Sequence, residues 1–199
     1  MCQFIETICY KNGVFERIEL HNDRLNRTRN HFFDNQLAID LSDHLSIPLD
    51  LIHSTVKCTI TYGEKIQHIS YSSYQIRAVH SLKMIENNSI DYTFKSSNRE
   101  LLEAMFLLKG DCDDILIVKN GYLTDSSYAN LILLRENRWY SMQNPLLLGT
   151  RLQSYLIEKL VTPTLVTPND LHLFSEARII NAMISIDDSP IIPVQNIRY

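Results

Sequence analysis

Glycine is scarce in this chain. Its 199 residues include only five, Gly13, Gly63, Gly110, Gly121 and Gly149. They form neither a G-x-G-x-x-G nor a P-loop, so the usual glycine-rich nucleotide cradles are excluded. Cysteine is as sparse: Cys2, Cys9, Cys58 and Cys112 are scattered, with no C-x-x-C pair. The simplest reading is a reduced, cytosolic setting in which they serve as small apolar residues. Seven histidines are present, but there is no H-E-x-x-H and no histidine–cysteine pairing at zinc spacing, so no metal site is expected. No apolar run approaches the ~20 residues that cross a bilayer. The opening "MCQFIETICYKNG" carries Glu6 and no basic segment ahead of an apolar core, which argues against a signal peptide. A net charge of −4 gives no reason to expect nucleic acid as a partner.

What remains is an ordinary globular composition, 45% hydrophobic and 21% charged, long enough for one large domain or two small ones. The chain opens with two strand-like runs around Asn12-Gly13, a hairpin signal. A helix is expected over about His21 to Phe33, and a short one within "DLSDHLSI" that must stop near Pro48. From about Ser54 to Ile85 alternation and β-branched content predict strands. "SLKMIENNSI" reads as the passage between two lobes, residues 1–88 and residues 89–199.

The second lobe begins at "DYTFKSSNRELLEAMF". Ser97 and Glu100 fit a capping box with Ser97 as N-cap. Leu101, Leu102, Met105 and Phe106 then share a helical face, and Gly110 is a fitting stop. Strands are expected in "DDILIVKNGYLTD" and "YANLILLRENRWYSM", with turns at Asn120-Gly121 and Glu136-Asn137. A helix should start near Gly149-Thr150 and run through "RLQSYLIEKL", a short one is expected after Pro168, and "ARIINAMISI" should be the last buried strand. The fold class is therefore mixed α/β in two small lobes.

Taken alone, Lys95 reads as a solvated charge just ahead of a helix. Four segments read together say more. "LHNDRLNRT" carries Arg24 on the first helix, "FKSSNRELLEAMF" carries Lys95, "GYLTDSSYANLIL" carries Asp125 in a polar turn, and "NPLLLGTRLQSYL" puts Gly149-Thr150 at a helix start. With the opening "FIETI", the later H-x-x-R-L and the final "INAM", this order resembles the class IV aminotransferase family, the fold type IV pyridoxal-phosphate enzymes. That family includes aminodeoxychorismate lyase and the D-amino-acid and branched-chain aminotransferases.

The resemblance implies a smaller α/β N-terminal lobe and a larger C-terminal lobe with a barrel-like sheet. It implies that Lys95 forms a Schiff base with the aldehyde of pyridoxal 5'-phosphate and later moves protons. It places Asp125 against the pyridine nitrogen, where the family usually has glutamate. It gives the phosphate to Gly149 and Thr150 at a helix N-terminus, to Arg24 as a charged clamp, and to Asn181 and Ala182. Asn130 matches an asparagine that orders the Asp125 turn, Tyr128 stands where small residues are common, and His21 reads as structural. Leu152 stands where the family often has arginine, and Arg151 comes one residue early, so Arg151 receives no role. The implied partners are a small amino-acid-like substrate and a second copy of the chain in a cytoplasmic homodimer. Transamination and 4-amino-4-deoxychorismate lyase chemistry both remain open. The alternative is a degenerate homologue that binds the cofactor without turnover.

Overall fold

The computed structural model describes residues 2–34 and 37–199. The chain divides into two compact units. The first comprises residues 1–75 and 94–98; the second comprises residues 76–93 and 99–199. Sequence analysis puts a single division near residue 88. The observed division falls earlier, and a short segment containing Lys95 returns to the first unit.

In the first unit β1 (Phe4–Lys11) and β2 (Val14–Phe15) form the expected hairpin. Asn12 and Gly13 both take positive φ, the backbone that a tight two-residue hairpin turn requires. Helix α1 spans Ile18–Phe32, starting a turn earlier than the sequence suggests. The "DLSDHLSI" helix is only a 3₁₀ turn at Leu41–Asp43, capped by the Asp40 side chain. Two more strands, β3 (Val56–Tyr62) and β4 (Ile66–Ser73), complete an antiparallel sheet ordered β2-β1-β3-β4. Alternation sends Phe4 and Ile8 of β1 and Cys58, Ile60 and Tyr62 of β3 into one core with Leu25 of α1. Glu6 lies on that same apolar-facing side of β1 and is fully buried.

The second unit carries a nine-stranded sheet. "SLKMIENNSI" is not a passage. It contains β5 (Leu82–Glu86), a strand that pairs in parallel with β6 (Asp114–Lys119). Strands β7 (Tyr122–Ser126), β8 (Asn130–Arg135) and β9 (Arg138–Met142) follow as antiparallel neighbours. The turns at Asn120-Gly121 and Glu136-Asn137 fall where expected, again with positive φ. Beyond them, β10 (Val161–Thr164) pairs with β9, and β11 (Glu176–Ile180) pairs with β8. The "ARIINAMISI" strand stops at Ile180 and is not the last: β12 (Ile192–Pro193) pairs with β11, and β13 (Ile197–Arg198) pairs with β5.

β6 is buried on both faces, as its unbroken apolar run implies. Leu116 and Val118 join Leu131, Leu133 and Ile179 in one core. Ile115 and Ile117 meet Leu102 and Met105 of helix α2 (Glu100–Phe106) in another. Each of those two helix side chains stabilises the packing by about 1.5–3 kcal/mol. Helix α3 (Thr150–Ile157) buries Leu152 against Ile132 and Ile180. It ends before Glu158, earlier than the sequence predicts.

Candidate active site

In the first unit β1 positions three groups. The buried carboxylate of Glu6 accepts from Arg24 Nε at 2.8 Å, from Arg24 Nη2, and from His21 Nδ1 at 2.6 Å. His21 and Arg24 lie three residues apart on α1, so both reach the same point on β1. Burial opposes the Glu6 charge, but the Arg24 guanidinium and the His21 hydrogen bond outweigh it and hold the carboxyl at about 2. Burial drives His21 below its ordinary range, so it donates as a neutral imidazole. The sequence marks His21 as structural, and its imidazole is spent on Glu6, a residue to which the sequence assigns nothing. The available signal was an acid at an apolar position of an alternating strand.

Lys95 is half-buried and its backbone is anchored to the same strand. Its carbonyl accepts from Ile5 N at 2.9 Å, Ser97 N donates to Gln3 O at 2.9 Å, and Phe4 and Ser96 form an antiparallel bridge. The register therefore sets Lys95 beside Ile5, one position from Glu6 along β1. Phe94 anchors the other side of the lysine. Its ring stacks on His31 at 4.6 Å and packs edge-on against Phe32 at 4.9 Å.

The capping box is not formed. Helix α2 begins at Glu100 with Arg99 as N-cap and no side-chain cap. The Ser97 hydroxyl instead donates to the carbonyl of Gln3, because pairing with β1 claims residues 96–97 before the helix can.

In the second unit Asp125 is held by Asn130 and by the backbone at Leu147. Its Oδ1 accepts from Asn130 Nδ2 at 2.9 Å, and its Oδ2 accepts from Leu147 N at 3.0 Å. Asn130 also donates to Leu147 O at 2.7 Å. Burial raises the Asp125 carboxyl to about 7 against these hydrogen bonds. It is thus a buried acid that forms no recorded ion pair among the described residues. Gly149 is the N-cap of α3, which has no side-chain cap, and Thr150 is buried at its first position.

A Cβ on Gly149 would lie 2.3 Å from Asn130 Oδ1. The glycine is therefore required by a neighbouring side chain, not by its φ of −66°. Gly149→Ala is expected to displace Asn130 from both Asp125 and Leu147 and to destabilise the protein by about 1–3 kcal/mol in urea denaturation.

The last two candidates lie at the end of β11. Asn181 Oδ1 accepts from the amides of Met183 and Ile184, so its oxygen shapes its own turn. What its side chain can offer an anion is the Nδ2 amide. Arg151, to which the sequence gave no role, donates Nε to Asn181 O at 2.8 Å and Nη2 to Ala182 O at 3.0 Å. It ties this turn to the start of α3. A cavity of about 360 Å³ elsewhere in the second unit, bordered by Tyr92, Lys119, Tyr122 and Thr124, includes none of the candidates.

The second unit's residues fit parts of a phosphorylated pyridine cofactor. A buried acid without a recorded ion-pair partner suits a ring N–H, and a helix N-terminus without a side-chain cap suits an anion.

The sequence pattern described as Amino-transferase class IV matches residues 3–197. A Haemophilus influenzae protein of uncharacterised function is 32% identical over 185 residues, covering 92% of this chain and 98% of its own. A Haemophilus somnus structure, provisionally ascribed 4-amino-4-deoxychorismate lyase activity, superposes with a TM-score of 0.87 at 29% identity. It covers 92% of this chain and 97% of its own. The branched-chain amino acid aminotransferase of Escherichia coli superposes with a TM-score of 0.73 at 14% identity, over 98% of this chain and 76% of its own.

Proposed function

The chain belongs to the amino-transferase class IV family, and from that premise we propose that Lys95 is the amine that would hold pyridoxal 5'-phosphate covalently until an amino-acid-like substrate displaces it. The family depends on that cofactor, and its members are aminotransferases or lyases. When bound, the cofactor supplies an aldehyde for a primary amine and a ring that draws electrons from the substrate Cα.

The chain's own residues divide the remaining work. Lys95 Nζ is the primary amine; once displaced, it is the base that takes the Cα proton and returns it. Asp125 would accept from a ring N–H in a buried site, where such an acceptor counts for more than it would in water. Asn130 and Leu147 N keep that carboxylate oriented. Gly149 and Thr150 offer the α3 N-terminus to phosphate, and Arg24, whose guanidinium Glu6 orients, adds charge. Asn181 and Ala182 belong to the same phosphate-binding group. The single observation that carries this reading is the buried Asp125 carboxyl, held by Asn130 Nδ2 and Leu147 N and forming no ion pair among the described residues.

Both chemistries begin with the same Cα deprotonation. The lyase reading has the nearer support, from the Haemophilus somnus relative; likenesses to aminotransferases below a quarter identity support the fold alone. We therefore favour 4-amino-4-deoxychorismate as substrate, with pyruvate and p-aminobenzoate as products. The test is to supply the protein with pyridoxal phosphate and offer 4-amino-4-deoxychorismate, D-alanine or a branched-chain amino acid separately. Release of p-aminobenzoate from the first supports the lyase. A keto acid from the others together with an acceptor-dependent second half-reaction supports a transaminase. A coloured protein inert to all three supports a binder without turnover.

A homodimeric, cytoplasmic enzyme belongs to the same reading. Its size in solution should be twice 23.2 kDa. Among the described residues no helix is long and apolar enough to cross a membrane.

A further inference from the structure

Ser127, two residues beyond Asp125, is held through its carbonyl. Its carbonyl accepts from Arg99 Nη2 at 2.8 Å. Its hydroxyl and amide also help hold down the carboxyl of buried Asp114, which burial raises. Asp114 is in turn paired with Arg77, whose guanidinium lies 4.9 Å from the centre of the Tyr128 ring. Ser126 closes the inner side of the turn: its amide donates to Ala129 O at 2.9 Å, and its hydroxyl accepts from Ala129 N at 3.1 Å. The turn from Asp125 to Asn130 is thus held from outside by two arginines and an acid, none of which belongs to the candidate site.

Arg99 is the informative member. Its second arm, Nη1, donates to the Tyr92 hydroxyl at 3.0 Å, and its guanidinium lies 5.6 Å from that ring's centre. A planar fork can meet a carbonyl and a phenol at once, which a lysine ammonium on a flexible stem does far less specifically. Ser127 is buried, so its carbonyl would be left unsatisfied without this donor. Arg99 is also the N-cap residue of α2, and it follows Lys95 by four positions in the chain. One residue therefore opens α2 and clasps the turn that contains Asp125.

We propose that Arg99 is a positioning residue: by clasping the Ser127 carbonyl it fixes the turn that holds Asp125 in place, and so sets how tightly the protein binds a phosphorylated pyridine aldehyde. This rests on the cofactor reading above, and the experiment separates the two. Arg99→Met, Arg99→Lys and Tyr92→Phe are compared with the unaltered protein in two measurements.

The first is amide hydrogen exchange without cofactor. Arg99→Met should speed exchange across residues 126–130 by about tenfold, the equivalent of one or two lost hydrogen bonds, and leave β1 and β3 unchanged. Tyr92→Phe should give a smaller change in the same residues, and Arg99→Lys should recover part of the protection.

The second is equilibrium binding of pyridoxal phosphate. The dissociation constant for Arg99→Met should rise at least about tenfold, and the pH at which the bound cofactor's visible absorbance titrates should move.

Unaltered exchange at residues 126–130, or faster exchange spread evenly over the whole unit, overturns the proposal. Cofactor uptake by the natural protein with an identical constant and pH profile in Arg99→Met overturns this proposal alone. A natural protein that takes up no pyridoxal phosphate overturns it together with the reading on which it rests.

Discussion

Lys95→Ala is expected to lower turnover by about 10⁴-fold while leaving thermal stability within about 0.5 kcal/mol of the natural protein. The two effects separate because the backbone hydrogen bonds at Lys95 do not depend on its side chain. Its carbonyl accepts from Ile5 N, and its neighbours Ser96 and Ser97 pair with β1. Alanine keeps all of these bonds. Phe94 remains packed against His31 and Phe32. What alanine removes is the one primary amine that the proposed chemistry requires. Lys95→Arg provides the control: it keeps the charge but stays protonated and cannot capture an aldehyde, so its turnover should fall as far. Steady-state kinetics beside a melting curve reads both quantities. A lysine variant with ordinary turnover would place the chemistry elsewhere.

The second large effect belongs to Asp125. Its carboxyl is raised in the folded protein to about 7 from an ordinary 3.8. Between those values the folded state keeps a proton that the unfolded state has released. The unfolded state then binds fewer protons, so stability falls as pH rises across this window. The stability is fully present below about pH 4 and the loss is complete above about pH 7, on the order of 4 kcal/mol in all. Glu6 has the opposite sign: its carboxyl, held at about 2, contributes stability that is lost only as pH falls below the ordinary range. The two slopes therefore occupy different pH windows.

Urea denaturation of the cofactor-free protein between pH 4 and 8 should show the Asp125 slope. Asp125→Asn should flatten it, because an amide carries no charge to desolvate. The same substitution should lower turnover by about 10³-fold, since a neutral amide cannot stabilise a cationic ring nitrogen. A slope that survives in Asp125→Asn would assign the titration to another group.

The turns were the most legible part of the fold. Asn12-Gly13, Asn120-Gly121 and Glu136-Asn137 demand positive φ, and local chemistry alone supplies it. β5 was not legible. Leu82 and Met84 alternate correctly, but the run is short and fades into Asn87-Asn88, and its parallel partner β6 lies far along the chain. Distant pairing also defeated the capping box, because the Ser97 amide and hydroxyl both go to Gln3, more than ninety positions away.

The candidate site shows the same division. Order along the chain drew attention to Lys95, Asp125 and Gly149-Thr150. It could not show that Gly149 is small because of Asn130, or that Asn181 spends its oxygen on its own turn. Nor could it show that Arg151 and Arg99 brace backbone carbonyls. Those roles are contacts between residues remote in sequence, and no local pattern records them.

The most direct test of the central claim is chemical trapping. The protein is incubated with pyridoxal phosphate, reduced with borohydride and digested, and the modified peptide is located by mass spectrometry. A phosphopyridoxyl group on Lys95 alone, absent from Lys95→Ala, is the predicted result. An unmodified Lys95, or the same group on a different lysine, would contradict it.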